Sequence, residues 1–411
     1  MRLLLAGAVL LSAAAYYVYL PLPSGVSEPW KLMLLDALIR RGLVEEDSDV
    51  AHALGVCHRV HLLNQVVSWV EEVEARSCSA VHVSDSSLGG VPARVFLPTA
   101  GRRLKRGVVY FHGGGWALGS ARMRSYDSLC RKMAEDLDSV IISVDYRLAP
   151  EAVFPDQYHD ALAASRAFLS APVLQRYGID PERVCVSGDS AGGNLAAAVA
   201  QEVDRRGRND TLPVKFKVQA LIYPVLQALD FYTPSYQQNR AVPILYRPVM
   251  ARFWLQYLGA DASLEPLLLA NNHSSLDQPA IGADARSKLD WTALLPAERK
   301  KHFRPVARET GSPQVMVAVP ELMDVRAAPL LAELGALGAT PKAYVMTCEF
   351  DVLRDDGLMY IRRLRDAGVA VTSDHYEDGF HGCMAFAFAP VLSSVGRRSA
   401  DNYIRWLDQN L

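Results

Sequence analysis

The stretch RVCVSGDSAGGNLAAAVA, Arg183 to Ala200, constrains this chain more than any other. Apolar, partly β-branched residues give way to an alanine-rich run across Gly188-Asp189-Ser190-Ala191-Gly192. A strand that reverses into a helix within five residues brings its backbone segments too close for side chains on either flank, which is what glycine at both ends of G-x-S-x-G relieves. The turn leaves Ser190 pointing outward at the positive end of the new helix. Ser190 is therefore read as a nucleophile, and the strand–turn–helix context predicts an α/β domain.

The rest of the chain agrees. From Ala80 onward short apolar runs (AVHVS, ARVFLP, GVVYF, SVIISVDY, RVCVSG, VQALIYPV, KAYVMTC, VAVTSDHY) alternate with helical spacings at Ser125–Leu137, Tyr158–Leu169 and Ala191–Arg205. Apolar strands separated by helices imply a mostly parallel central sheet covered on both faces. The alternation breaks between about 236 and 320, which reads as a helical lid inserted into a catalytic domain spanning 80–411. Upstream, Trp30–Arg41 and His52–Glu74 carry helical periodicity, so 21–79 reads as an N-terminal helical cap segment. The bulky stretch Ile244–Leu258 admits two compatible readings. It roofs the pocket, or it touches a bilayer through Ile244, Leu245, Phe253, Trp254, Leu255, Tyr257 and Leu258, with Arg247 and Arg252 at headgroups.

A serine hydroxyl needs a base that is itself oriented by an acid. Asp351 closes the strand YVMTCEF, and His381 follows the strand ending in DHYEDGF, giving the chain order Ser, Asp, His. His375 is the rival base but falls within a strand, and Asp355 and Asp356 are rival acids but open the next helix, where carboxylates act as caps. The run GVVYFHGGGWALGS ends a strand in three glycines. Backbone N–H groups of Gly113 and Gly114, with that of Ala191, are read as donors to a tetrahedral oxyanion. His112 is read as an organiser of this loop and Trp116 as pocket wall. The chemistry calls for no metal and no organic cofactor.

After Arg2, eighteen uncharged and mostly apolar residues run from Leu3 to Leu20, ending in Tyr16, Tyr17 and Tyr19 before Pro21 and Pro23. The length reaches the lower bound for a membrane span, and the tyrosines suit an interfacial belt. The run continues past the small residues Ser12–Ala15 that a cleaved leader would use, so residues 1–20 read as a retained signal-anchor. A net charge of −2 with both signs dispersed gives no sign of a nucleic-acid partner, and nothing implies a protein partner. Sequons at Asn209 and Asn272 favour a lumenal body. The six cysteines lack metal-ligand spacing and read as buried apolar fillers for the most part.

HGGGW, DYRLAPE, GDSAGG, DVLRDDG and GFHG together resemble the hormone-sensitive-lipase-like α/β-hydrolases, and within them the arylacetamide deacetylase group. The resemblance implies an α/β-hydrolase fold, a single-pass type II protein of the endoplasmic reticulum membrane, and a triad of Ser190, Asp351 and His381. It implies hydrolysis of apolar lipid esters, cholesteryl esters and acetylated ether glycerolipids among them. The alternatives are arylacetamide or xenobiotic-ester deacetylation and a silent hydrolase-fold scaffold, the latter disfavoured by the intact motifs. Deacetylases of the group pair a cysteine after the motif tryptophan with the one matching Cys348. Ala117 stands there instead, and Asp290 replaces the asparagine of a further sequon.

Overall fold

The computed structural model describes residues 12–43, 64, 69–101, 104–206, 214–278, 281–306 and 308–411. Eight strands form one sheet: β1 (Val81–Leu88), β2 (Val91–Pro98), β3 (Lys105–Phe111), β4 (Ser139–Val144), β5 (Ile179–Asp189), β6 (Val218–Ile222), β7 (Lys342–Phe350) and β8 (Val371–Phe380). Their spatial order is β1-β2-β4-β3-β5-β6-β7-β8. β2 runs antiparallel to both β1 and β4, and every other neighbouring pair is parallel. The mostly parallel sheet read from the sequence is thus present.

The central strands are buried on both faces, which is why they read as unbroken apolar runs. Period-two alternation sends successive side chains of β3 to opposite cores: Val109 and Phe111 to one, Val108 and Tyr110 to the other. The first core is closed by α3 (Asp156–Phe168), α4 (Ala191–Arg206) and α6 (Arg354–Asp366). The second is closed by α2 (Arg124–Leu137) and α7 (Ser394–Asn410), the latter not foreseen in the sequence. Upstream of the sheet lies α1 (Pro29–Leu43), close to its predicted bounds.

Between β6 and β7 the chain forms short helices, the longest being α5 (Arg247–Tyr257). The bilayer reading of this stretch does not survive. Trp254 and Tyr257 are wholly buried, Leu245 and Leu255 nearly so, and Ile244, Phe253 and Leu258 are half-covered. Arg252 pairs with Glu265 at 2.7 Å, while Arg247 lies over the Tyr232 ring at 4.1 Å and donates to the Leu269 carbonyl. The largest of these side chains thus pack on the chain itself.

Residues 12–18 are helical, and among the described residues no helix is long and apolar enough to cross a membrane. Residues 1–11, most of the predicted helix His52–Glu74, and Asn209 lie outside the described residues. Asn272 sits half-buried in a 3₁₀ turn. Cys130, Cys185, Cys348 and Cys383 are buried free thiols and Cys78 is exposed. The Cys348 sulfur lies 3.7 Å from that of Cys383.

An ionic cluster ties the inserted region to the sheet. Glu349, at the end of β7, accepts from Arg299, from Arg354 at 2.9 Å and from His375 at 3.1 Å. Burial opposes the charge, but His375, Arg354 and Arg299 outweigh it and hold the carboxyl at about 2. A depressed carboxylate stabilises the fold above its unfolded pKa and loses that contribution as pH falls toward its folded value. Glu349→Gln should therefore cost about 2–3 kcal/mol at neutral pH. The gap from wild type should narrow between pH 4.5 and about 2, as followed by urea midpoints. A gap independent of pH would show that the charge is not what Glu349 contributes.

Candidate active site

The β5–α4 turn is as tight as the spacing demanded. Ser190 adopts φ 54°, a left-handed conformation that a side-chain-bearing residue holds only under constraint. Its amide donates to Ile222 O at 2.9 Å, while its carbonyl accepts from the Asn194 amide at 3.0 Å to start the helix. A Cβ on Gly192 would stand 2.0 Å from Phe111 O, at the end of β3. The motif is glycine there because two backbones touch.

His381 lies just past β8, with Nε2 3.0 Å from Ser190 Oγ and Nδ1 2.8 Å from Asp351 Oδ2. A carboxylate only accepts, so Nδ1 carries the proton and Nε2 is left to accept from the serine hydroxyl. Asp351 is oriented in turn by the Leu353 amide, which donates to Oδ1 at 2.8 Å. All three side chains are under a tenth exposed, and Tyr223 packs on the imidazole at 4.9 Å. The structure thus brings together the three residues named from chain order.

The rivals are placed elsewhere. His375 bonds Thr347 at 2.9 Å and joins the Glu349 cluster. Asp355 accepts from the Ser235 amide and Arg354, and Asp356 from the Leu226 amide and Gln227, so both fasten the segment after β6. Burial pushes the Asp356 carboxyl up to about 7.

The glycine loop corrects the sequence reading at one position. The Gly113 amide already donates to Asp189 Oδ1 and to the Tyr126 hydroxyl, each at 2.9 Å, so it is not a free donor. The amides of Gly114 and Gly115 have no acceptor among the described residues. Gly114 takes φ 111°, and a Cβ there would lie 2.1 Å from Leu118 O.

Asp189, the second residue of the motif, was not singled out in the sequence. Its carboxylate collects Gly113, Tyr110 at 3.0 Å and Tyr126 at 3.2 Å, joining the turn before Ser190 to the glycine loop. Burial raises it to about 6, against the opposing pull of both tyrosines, His381 and the Gly113 amide. A carboxylate at the end of an otherwise apolar strand was the signal available. Gly115 was missed as well.

His112 organises the loop as expected. Nδ1 donates to Gly113 O at 2.7 Å, the ring stacks on Tyr146 at 4.4 Å, and burial lowers its pKa, keeping it neutral. Trp116, read as pocket wall, is fully buried, stacked on Tyr257 at 4.0 Å and tilted on Trp254 at 4.9 Å. Among the described residues no group of three or more His, Cys, Asp or Glu side chains is placed to hold a metal ion.

Known proteins share this architecture. The family model described as alpha/beta hydrolase fold matches residues 108–281 and 298–385. The chain is 51% identical to neutral cholesterol ester hydrolase 1 of Mus musculus over 406 residues, covering 98% of each chain. Identity to arylacetamide deacetylase of Mus musculus is 43%, covering 97% of this chain and 96% of that one. A hyperthermophilic esterase from the archaeon Pyrobaculum calidifontis superposes with a TM-score of 0.63 at 26% identity, over 93% of this chain and 98% of that one. With a family match across more than half of its length and relatives aligned over nearly all of it, the chain belongs to the α/β-hydrolase fold family, as a carboxylic-ester hydrolase.

Proposed function

We propose that this hydrolase cleaves apolar lipid esters, including cholesteryl esters and acetylated ether glycerolipids, through an acyl-enzyme on Ser190. The observation that carries the reading is His381 bridging Ser190 Oγ at 3.0 Å and Asp351 at 2.8 Å. As Oγ attacks the ester carbonyl, its proton passes to His381 Nε2, and Asp351 stabilises the imidazolium. The oxyanion takes hydrogen bonds from the amides of Gly114, Gly115 and Ala191, each donor contributing about 3–4 kcal/mol. Collapse expels the alcohol with the proton from His381. Water, deprotonated by the same nitrogen, then attacks the acyl group, and the acid leaves Ser190 free.

The substrate class rests on likeness to the neutral cholesterol ester hydrolases. The apolar Leu3–Leu20 segment supports a signal-anchor in the endoplasmic reticulum membrane, and the sequons at Asn209 and Asn272 support a lumenal body. The region between β6 and β7 acts as a helical lid, since α5 packs its aromatic side chains on the glycine loop. A panel of cholesteryl, acetyl-ether and arylacetamide substrates separates this reading from that of a deacetylase.

Ser190→Ala should lower kcat by about 10⁴–10⁶ while leaving the thermal midpoint near wild type. A fluorophosphonate should label the wild type and not this variant. Labelling that survives would name another serine. Asp351→Asn should be similarly damaging and non-additive with Ser190→Ala, whereas Asp355→Asn should act on stability rather than on kcat.

Asp189 touches no substrate in this scheme and acts through Gly113. Asp189→Asn keeps the size but offers one accepting oxygen to three donors. It should lower kcat about 10²-fold with little change in KM, as loss of oxyanion alignment does. A change confined to KM would place Asp189 in substrate binding instead.

A further inference from the structure

Helix α1 has two unlike faces. On the inner one, Leu32 and Asp36 are each 1% exposed, and the Tyr246 hydroxyl donates to the Asp36 carboxylate. Leu32 and Leu35 share a small cavity with Phe380 and Val391, and Phe380 directly precedes His381. The inner face of α1 therefore packs against the loop that carries the proposed base.

The outer face is apolar and open. Trp30 is 58% exposed and Leu34 45%, one turn apart, with half-buried Met33 between them. Leu392, 54% exposed, is held alongside by Lys31, whose Nζ donates to the Leu392 carbonyl at 2.9 Å. The same Nζ lies 5.6 Å from the centre of the Trp30 ring. Trp30 and Leu34, one turn apart, and Leu392, whose carbonyl Lys31 holds, are large apolar side chains left in water, which suits a docking surface.

The occupant is indicated by where the chain comes from. The end of the uncharged run Leu3–Leu20 lies against this helix, with the Leu20 amide 3.2 Å from Met33 Sδ. Tyr16 and Tyr19, at its end, are 87% and 66% exposed. Tryptophan and tyrosine settle at the headgroup level of a bilayer. A segment long enough to reach across lipid delivers α1 to the surface with its apolar side outward.

We propose that Trp30, Leu34 and Leu392 form a bilayer-docking face, distinct from the Leu3–Leu20 anchor and from α5. It rests on the reading of Leu3–Leu20 as an anchor. Docked this way, the His381 loop lies one helix diameter, roughly 10–12 Å, from the lipid surface.

The full-length chain in phosphatidylcholine vesicles tests the proposal through brominated acyl chains, which quench tryptophan emission on contact. The emission difference between wild type and Trp30→Phe isolates Trp30, and that difference should be quenched. Leu34→Ser combined with Leu392→Ser should lower turnover of a bilayer-embedded ester about tenfold, because less apolar surface is then buried on docking, with a short water-soluble ester unaffected. An unquenched Trp30 component with wild-type turnover of both esters overturns the proposal. So does cross-linking of paired chains that the two serine substitutions abolish, since a second copy would then cover the face. Failure of wild type to cleave even the soluble ester would overturn the hydrolytic reading alone, because the quenching is read without turnover.

Discussion

The backbone contact between Gly192 and the end of β3 governs the architecture around Ser190. With no side chain on Gly192, α4 starts within touching distance of Phe111 O, and the turn before it tightens until Ser190 is forced to φ 54°. The same closeness brings the β5 end beside the glycine loop, where Asp189 reaches across to the Gly113 amide at 2.9 Å. A single added methyl at Gly192 would push the two strand ends apart. It would loosen the serine, the loop and the carboxylate between them together.

Charge is distributed around that contact with a division of labour. Asp351 faces the imidazole, Asp189 faces the loop, and Glu349 gathers Arg299, Arg354 and His375 at the edge. Each of these carboxylates has a matched set of donors, as surroundings of low dielectric require. Because Asp189 is pushed up and Glu349 down, the two respond to pH in opposite senses.

What the sequence made legible and what it concealed follow from the range of the forces involved. Runs such as GVVYF and SVIISV announce strands because both faces are covered, and the elbow announces itself because glycine at 188 and 192 answers a local steric demand. Chain order, with each residue's place past a strand end, named Asp351 and His381, and the fold sets the two within hydrogen-bond reach of one another. The sheet order was not readable, since the seating of β3 between β4 and β5 depends on pairings such as Val109 with Ile142 and with Val186. For the same reason the loss of Gly113 as a donor stayed hidden: it depends on a residue 76 positions away. The α5 stretch left two readings open, because bulky aromatic residues look alike in sequence whether they meet lipid or their own core.

Trp116 sits two residues after Gly114 and is clasped between Tyr257 and Trp254 of α5, while the Phe253 ring occupies the place a Gly115 side chain would take. The inserted helix and the glycine loop are thereby packed as one unit. Any outward swing of α5 that widens the approach to Ser190 must either break two buried aromatic contacts or carry the glycines with it. Under the proposed mechanism, widening the approach to Ser190 and holding the oxyanion donors in place are consequently linked.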